Sequence, residues 1–396
     1  MAAMNNDLSA LDAARLLGVS LPTLYSYVSR GLLASVSNGA SRRKRYPQED
    51  VLRLAARKND AKRGGQTAVA AMHWGLPVLE TRISHILDGR LLYRGRDATA
   101  LAQHATLEAA AGLLWDDGAS DYFRQDAHIL PPGLASAPDA PPLARAMLAM
   151  AMLTTADMPH ALHSGPALMR LLAAALLQTA PSALPLHQQL AQAWQADAQQ
   201  SALLRATLVL LADHELNAST FAVRCVASTG ASLPAALGAG LAALSGDKHG
   251  GGSAAARCVL TQALAAPDAR DARAAIGKYY AAIAPAFAGF GHPLYPLGDP
   301  RAGYLLERLA AMTHEYPQLS AILAACATAG ELLELKPNAD LALAAMELAF
   351  DWPEGAGISV FALARSAGWI AHAFEQADSA ALIRPRARYI GCPPRD

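Results

Sequence analysis

From Leu101 to Leu244 the chain places apolar residues at helical spacing almost without pause. Nowhere in this stretch does it settle into the strict alternation of a half-buried strand. Leu143–Leu153 and Leu168–Leu177 are apolar nearly all round, the pattern of helices buried in a large core. Breaks fall at 130–133 (Leu-Pro-Pro-Gly), 140–143 (Ala-Pro-Pro-Leu) and 181–185, where proline cannot continue a helix. No strands alternate with helices, so an all-α fold is expected rather than a doubly wound α/β sheet. One short extended piece is expected around Leu91–Arg94, bracketed by Gly89 and Gly95. Hydrophobic residues make up 53% of the chain and aromatic ones only 6%, which suits alanine- and leucine-rich helices at close range.

The 396 residues suffice for two or three domains. Thirty-three basic residues balance thirty-three acidic ones, so no global field favours nucleic acid or an acidic surface. There is no uncharged apolar run of about eighteen residues, so no membrane span is expected. Asp7, Asp12 and Arg15 interrupt the N-terminus, which lacks the apolar centre of a signal peptide. Cys225, Cys258, Cys326 and Cys392 are scattered, without metal-ligand spacing or a disulfide pattern. A cytoplasmic location is expected.

Residues 1–63 read as a separate module. Ser9 caps a helix carrying Leu11, Ala14, Leu16 and Leu17, and Gly18 ends it. Ser20 caps a second, with Pro22 in its first turn, Leu24, Tyr25 and Val28 along it, and Gly31 as its stop. This is a helix-turn-helix layout. A basic run, Arg42-Arg43-Lys44-Arg45, follows, and a third helix is expected from about Pro47 to Lys58. The charged stretch Asn59–Gly65 is the expected boundary.

The module resembles the winged helix-turn-helix of the MerR family. The resemblance implies DNA binding through residues 5–58, with Thr23, Tyr25, Ser26 and Arg30 toward the major groove and the basic wing on phosphates. Small three-helix modules also serve as docking or dimer-forming pieces, and the sequence leaves that open.

Four polar segments interrupt the helical body. Gly246–Gly252 sets His249 among glycines, where backbone N–H groups are accessible to a ligand. Asp213–Thr220 follows an apolar helix with a dense polar cluster, which either surfaces or lines a pocket. Gly289–Tyr295 again brackets a histidine, His292, and is followed by Asp299-Pro300-Arg301. A guanidinium there suits a substrate carboxylate. Pro337–Asp340 opens an apolar helix, and Asp340 itself is either a helix cap or a site residue. Beyond it, Arg365 lies among apolar neighbours and Arg384 begins a basic tail. His104, His128, His187 and His314 read as ordinary helix residues.

Seven stretches, in order, resemble the citrate synthase family: 91–102, 213–229, 248–252, 289–302, 337–344, 361–372 and 384–391. The resemblance implies a citrate synthase fold with a large helical domain (66–252 and 352–396) and a small one (253–351). It implies condensation of acetyl-CoA with oxaloacetate, followed by hydrolysis to citrate and CoA. Propionyl-CoA, giving 2-methylcitrate, is the near alternative. A regulator whose body senses a CoA ester or a tricarboxylate is the alternative from another class.

By the same resemblance Asp340 is the base that takes the methyl proton. His249 donates to the thioester oxygen and His292 to the ketone oxygen. His214, Arg301 and Arg365 hold the oxaloacetate, and Arg384 comes from the partner of a homodimer. Gly250 and Gly251 pass the pantetheine arm. No permanently bound cofactor and no metal are implied. Four positions depart from the family pattern. Pro293 and Pro296 stand where many members carry basic residues that meet CoA phosphates. Asp247-Lys248 replaces a Pro-Leu pair, and Lys248 is a candidate to reach a phosphate in compensation.

Overall fold

A computed structural model describes residues 7–17, 19, 24, 28, 33, 35–37, 44–47, 51, 79–116, 123, 139–154, 164–282, 289–379, 381–385 and 391–392. The chain divides into two compact units, Met1–Glu80 and Thr81–Asp396.

In the first unit, β1 (Asp7–Leu8), α1 (Ala10–Leu17), β2 (Val36–Ser37) and β3 (Lys44–Pro47) are formed. The three strands pair antiparallel in the order β1-β3-β2. Ser9 caps α1 as expected, its Oγ accepting the Asp12 N–H at 3.2 Å. Ala13, Ala14, Leu17, Leu24, Leu33, Tyr46 and Val51 form a core of their own. Lys44 and Arg45 of the basic run lie exposed on β3. Pro47 closes that strand, opposite Asp7, and does not open the third helix. Proline lacks the N–H a ladder interior needs but is tolerated at a strand end. Thr23, Tyr25, Ser26, Arg30, Arg42 and Arg43 lie outside the described residues.

The second unit begins with a meander of β4 (Ser84–Leu87), β5 (Arg90–Tyr93) and β6 (Arg96–Asp97), antiparallel throughout. The sequence reading found only the central strand. Asp88-Gly89 (φ 50° and 74°) and Arg94-Gly95 (φ 44° and 80°) are two-residue turns with both residues left-handed. This mirror-image turn matches the twist of the flanking strands, and Asp-Gly is its common sequence.

Helices follow: α2 (Ala98–Ala102), α3 (Leu107–Leu114), α4 (Pro142–Met152), α5 (Gly165–Leu177), α6 (Leu186–Ala193), α7 (Ala198–Leu211), α8 (Ala218–Ala227) and α9 (Leu233–Leu244). Then come α10 (Gly252–Leu264), α11 (Ala269–Ala282), α12 (Pro300–Ala311), α13 (Gln318–Leu333), α14 (Ala339–Ala349) and α15 (Ala356–Ser379). The mostly helical architecture agrees with the sequence. No described helix is long and apolar enough to cross a membrane.

α15 is the axis of this unit. It is apolar nearly all round and packs against α3, α5, α7, α8 and α9, with Trp369 fully buried. Burying such a side chain contributes on the order of 2 kcal/mol or more. Glycine at 240 lets α9 approach: a Cβ there would lie 2.9 Å from the Trp369 ring. Helices α10 to α14 pack largely on one another, and α10 and α14 also meet α15. The site residues are carried where these two sets of helices meet.

Candidate active site

The C-terminal end of α7 delivers Asp213 and His214. Tyr93 of β5 fixes that end, its hydroxyl meeting the Val209 and Leu210 carbonyls at 3.0 and 3.1 Å. Asp213 is buried and accepts the Ser84 hydroxyl. Its carboxylate faces His372 of α15 at 3.4 Å. The polar cluster 213–220 therefore lines the interior: Asp213, His214, Ser219 and Thr220 are all buried.

The short extended segment Gly289–Gly291 pairs with Lys336–Asn338. Gly291 N–H donates to the Lys336 carbonyl at 2.8 Å and Asn338 N–H to the Gly289 carbonyl at 2.9 Å. Glycine is required at 289 and 291, where φ is 85° and 72°. This pairing ties the His292 loop to the start of α14. Asn338 is the cap of α14, its Oδ1 accepting the Asp340 N–H at 3.0 Å. The carboxyl of Asp340 is thus released from capping.

Asp340 abuts the other histidine loop. A Cβ on Gly252 would lie 2.4 Å from Asp340 Oδ2, so the glycine makes room for the carboxyl against the start of α10. His249 precedes that contact in the tight turn 246–250, where His249 N–H donates to the Gly246 carbonyl at 2.9 Å. The turn's own backbone demands its glycines. A Cβ would stand 2.0 Å from the Leu244 carbonyl at Gly250 and 2.7 Å from the Asp247 carbonyl at Gly251. Lys248 is exposed.

Three charged and three imidazole groups converge. His214 and His292 rings meet edge to face with centroids 5.0 Å apart. Arg301 is buried against Asp299, with Nε–Oδ1 2.9 Å and Nη2–Oδ2 2.8 Å. Asp299 also caps α12 and accepts the Ala339 N–H at 3.1 Å, so one carboxylate ties Arg301 to the helix that bears Asp340. Arg365 is buried, donates through Nε to the Leu211 carbonyl at 2.9 Å and lies 4.7 Å over the Phe361 ring. Its Nη2 has no hydrogen-bond partner among the described residues. Phe361 in turn meets the His249 ring edge to face at 6.2 Å.

Burial and the two arginines set the protonation states. Burial, then the Arg365 charge, pushes His249 down to about 4. Burial and Arg301 do the same to His292, also to about 4, and His214 is held well below the ordinary imidazole value. All three are neutral at pH 7. Burial raises Asp340 to about 6, partly opposed by Arg301 and Arg365. Burial lowers Arg365 to about 10, which leaves it charged. His292 Nδ1 accepts the Leu294 N–H at 3.2 Å, so the ring proton sits on Nε2, a neutral N–H donor. His249 Nε2 lies 2.8 Å from Ser219 Oγ. Ser219 receives the Trp369 N–H at 3.2 Å and has Asn217 Oδ1 at 2.8 Å as a second acceptor for its single proton. Turned toward His249, that hydroxyl leaves the imidazole proton on Nδ1. The arrangement holds a basic carboxyl beside neutral N–H donors and two buried cations, a set suited to a dianion and an enolising carbon.

Residues 71–386 match the sequence model of the citrate synthase C-terminal domain. The chain belongs to the citrate synthase family. Residues 8–59 match a helix-turn-helix domain. Citrate synthase 2 of Bacillus subtilis is 36% identical over 190 residues, which is 46% of this chain and 49% of that protein. A 2-methylcitrate synthase of Shewanella oneidensis is 33% identical over 192 residues, 48% of this chain and 50% of its own. The chain thus spans about half the length of the curated relatives it matches. Among solved structures, citrate synthase of Thermoplasma acidophilum, in a ternary complex with carboxymethyl coenzyme A and oxaloacetate, aligns with TM-score 0.68 at 22% identity, over 81% of this chain and 95% of that one. That likeness establishes the fold.

Of the residues singled out by family resemblance, His214, His249, His292, Arg301, Asp340 and Arg365 come together. Arg384 is exposed, and no hydrogen bond or ion pair links it to this group among the described residues. Pro293 and Pro296 are exposed on the His292 loop. Sequence reasoning missed Ser219, Tyr295, Asp299, Asn338 and Phe361. Each lies inside or beside a stretch that matches the citrate synthase family, but a serine after a polar run or an aspartate before proline reads as a cap. Asp299 is indeed a cap; its grip on Arg301 and Ala339 is invisible without the fold.

Proposed function

We propose that this chain condenses acetyl-CoA with oxaloacetate and hydrolyses the product to citrate and CoA. One observation carries the reading: a carboxyl raised to about 6, Asp340, lies against the glycine that ends the His249 loop. Asp340 takes a proton from the thioester methyl as the His249 N–H stabilises the developing enolate oxygen. The methylene carbon then bonds to the ketone carbon of oxaloacetate, and His292 Nε2–H donates to the ketone oxygen. Water finally cleaves the thioester, releasing CoA as the thiol. His214, Arg301 and Arg365 bind the dicarboxylate. Coenzyme A is a co-substrate on this reading, and no permanently bound cofactor is called for.

The pantetheine arm runs along the turn at Gly250 and Gly251, with Lys248 toward a phosphate. Residues 66–252 with 352–396 act as the large domain, 253–351 as the small one, and closure between them shields the reaction from water. Two copies form a homodimer in the cytoplasm, each lending Arg384 to the other's site. Residues 5–58 bind DNA, supported by the helix-turn-helix match and by Lys44 and Arg45 exposed on β3.

The test is thiol release from acetyl-CoA with oxaloacetate, repeated with propionyl-CoA. Release with acetyl-CoA is expected. Preference for propionyl-CoA moves the reading to 2-methylcitrate synthesis, since one methylene is worth only about 1–3 kcal/mol of discrimination. Absence of release with either donor overturns the enzyme reading and leaves the regulator.

A further inference from the structure

Tyr295 lies fully inside the group and has no part in the reaction as described. It is 2% exposed. Its hydroxyl is 3.0 Å from His214 Nε2. Its ring lies 4.9 Å from the His292 ring and 5.5 Å from that of His214, centroid to centroid. The Arg301 guanidinium sits 5.6 Å over its face. One side chain therefore touches three of the groups assigned to oxaloacetate.

The backbone aims it. Tyr295 N–H donates to the His292 carbonyl at 2.9 Å, and Gly298 N–H returns to the Tyr295 carbonyl at 3.0 Å. These turns swing the ring inward, although its neighbours Leu294, Pro296 and Leu297 are exposed. Burial keeps the phenol protonated. With the protonated phenol as donor, Nε2 carries the lone pair of the His214 ring and Nδ1 its proton. The tautomer and tilt of His214 then depend on a hydroxyl from a different loop, and the face of Arg301 depends on the same ring.

We propose that Tyr295 is the positioning residue of the oxaloacetate subsite, holding His214 through its hydroxyl and Arg301 through its ring as one unit. This rests on the condensation reading given above. Since Tyr295 comes from the His292 loop, the same side chain registers that loop against the end of α7. The 2-oxo acid subsite depends on it and the thioester subsite does not.

The experiment compares wild type, Tyr295→Phe and Tyr295→Leu. Phenylalanine keeps the ring under Arg301 and removes only the hydroxyl. The KM for oxaloacetate is expected to rise about tenfold in Tyr295→Phe and further in Tyr295→Leu, with the acetyl-CoA KM within twofold of wild type. Nitrogen-15 shifts of the His214 ring are expected to show a proton on Nδ1 in wild type and a changed tautomer mixture in Tyr295→Phe. A merely structural role leaves those shifts and the split between the two KM values unchanged. Equal oxaloacetate KM values in wild type and Tyr295→Phe overturn the inference. If wild type releases no thiol, the condensation reading has failed, and calorimetric affinities for oxaloacetate decide the inference separately: equal affinities overturn it, a tenfold loss supports it.

Discussion

In water an aspartate ionises near pH 3.8 and is a feeble base. Burial at the start of α14 raises Asp340 to about 6, which makes it a useful one near neutrality. Asp340→Ala is expected to lower kcat by about 100-fold or more, read as thiol release. The pH profile carries the same signature. His249 and His292 stay neutral down to about 4, so the acid limb of kcat/KM reports Asp340 alone and falls below about pH 6. Stability runs the opposite way. A folded pKa above the unfolded one means that protonation favours the fold. That contribution is complete below pH 3.8 and is lost as pH rises through about 6. At pH 8 the ionised carboxyl costs up to about 3 kcal/mol, two units at about 1.4 each. Asp340→Asn is therefore expected to raise the denaturant midpoint at pH 8, with the gain shrinking on acidification.

Between elements, the decisive contact is α10 against α14. Both helices begin at the site, and Gly252 lets the Asp340 carboxyl reach the end of the His249 loop. An alanine Cβ there would stand 2.4 Å from Oδ2 and 2.7 Å from Cγ of Asp340. Gly252→Ala is expected to displace Asp340, lowering kcat at least tenfold while the oxaloacetate KM changes little, because His214 and Arg365 sit on other elements and Arg301 is held by Asp299 rather than by the Asp340 carboxyl. Gly277, on the exposed course of α11, has nothing within 4 Å of an added Cβ. Gly277→Ala is the control, expected to leave kcat unchanged.

Across the whole molecule, each of the two compact units has its own hydrophobic core. Each is a candidate to fold and act alone. Deleting residues 1–63 is expected to leave condensation within about twofold of the full chain. The same deletion is expected to abolish a salt-sensitive mobility shift of promoter DNA, since phosphate contacts release counterions. Loss of condensation in the truncated protein, with its circular dichroism intact, would show that the first unit contributes to the site.

Apolar periodicity marked the helices because a buried helix must be apolar whatever it packs against. Glycine and proline marked their ends because those residues act on their own backbone. The histidine motifs were recognisable in order as a family pattern. The strands β4 and β6 were overlooked because they are four and two residues long, too short for alternation to show, although Asp88-Gly89 was a usable turn signal. What only the tertiary structure decided was the meaning of the polar residues. A cap or polar-run residue such as Ser219, Asp299 or Asn338 has the same local role wherever it sits. Its second role, on His249, on Ala339 or on the Gly291 carbonyl, depends on a partner 30, 40 or 47 positions away. Asp340 was a cap or a base in the sequence, and it became free to act as a base only because Asn338 took the cap and burial raised its pKa. Local chemistry is written in the order of residues, whereas desolvation and long-range pairing exist only once helices from opposite ends of the chain have met.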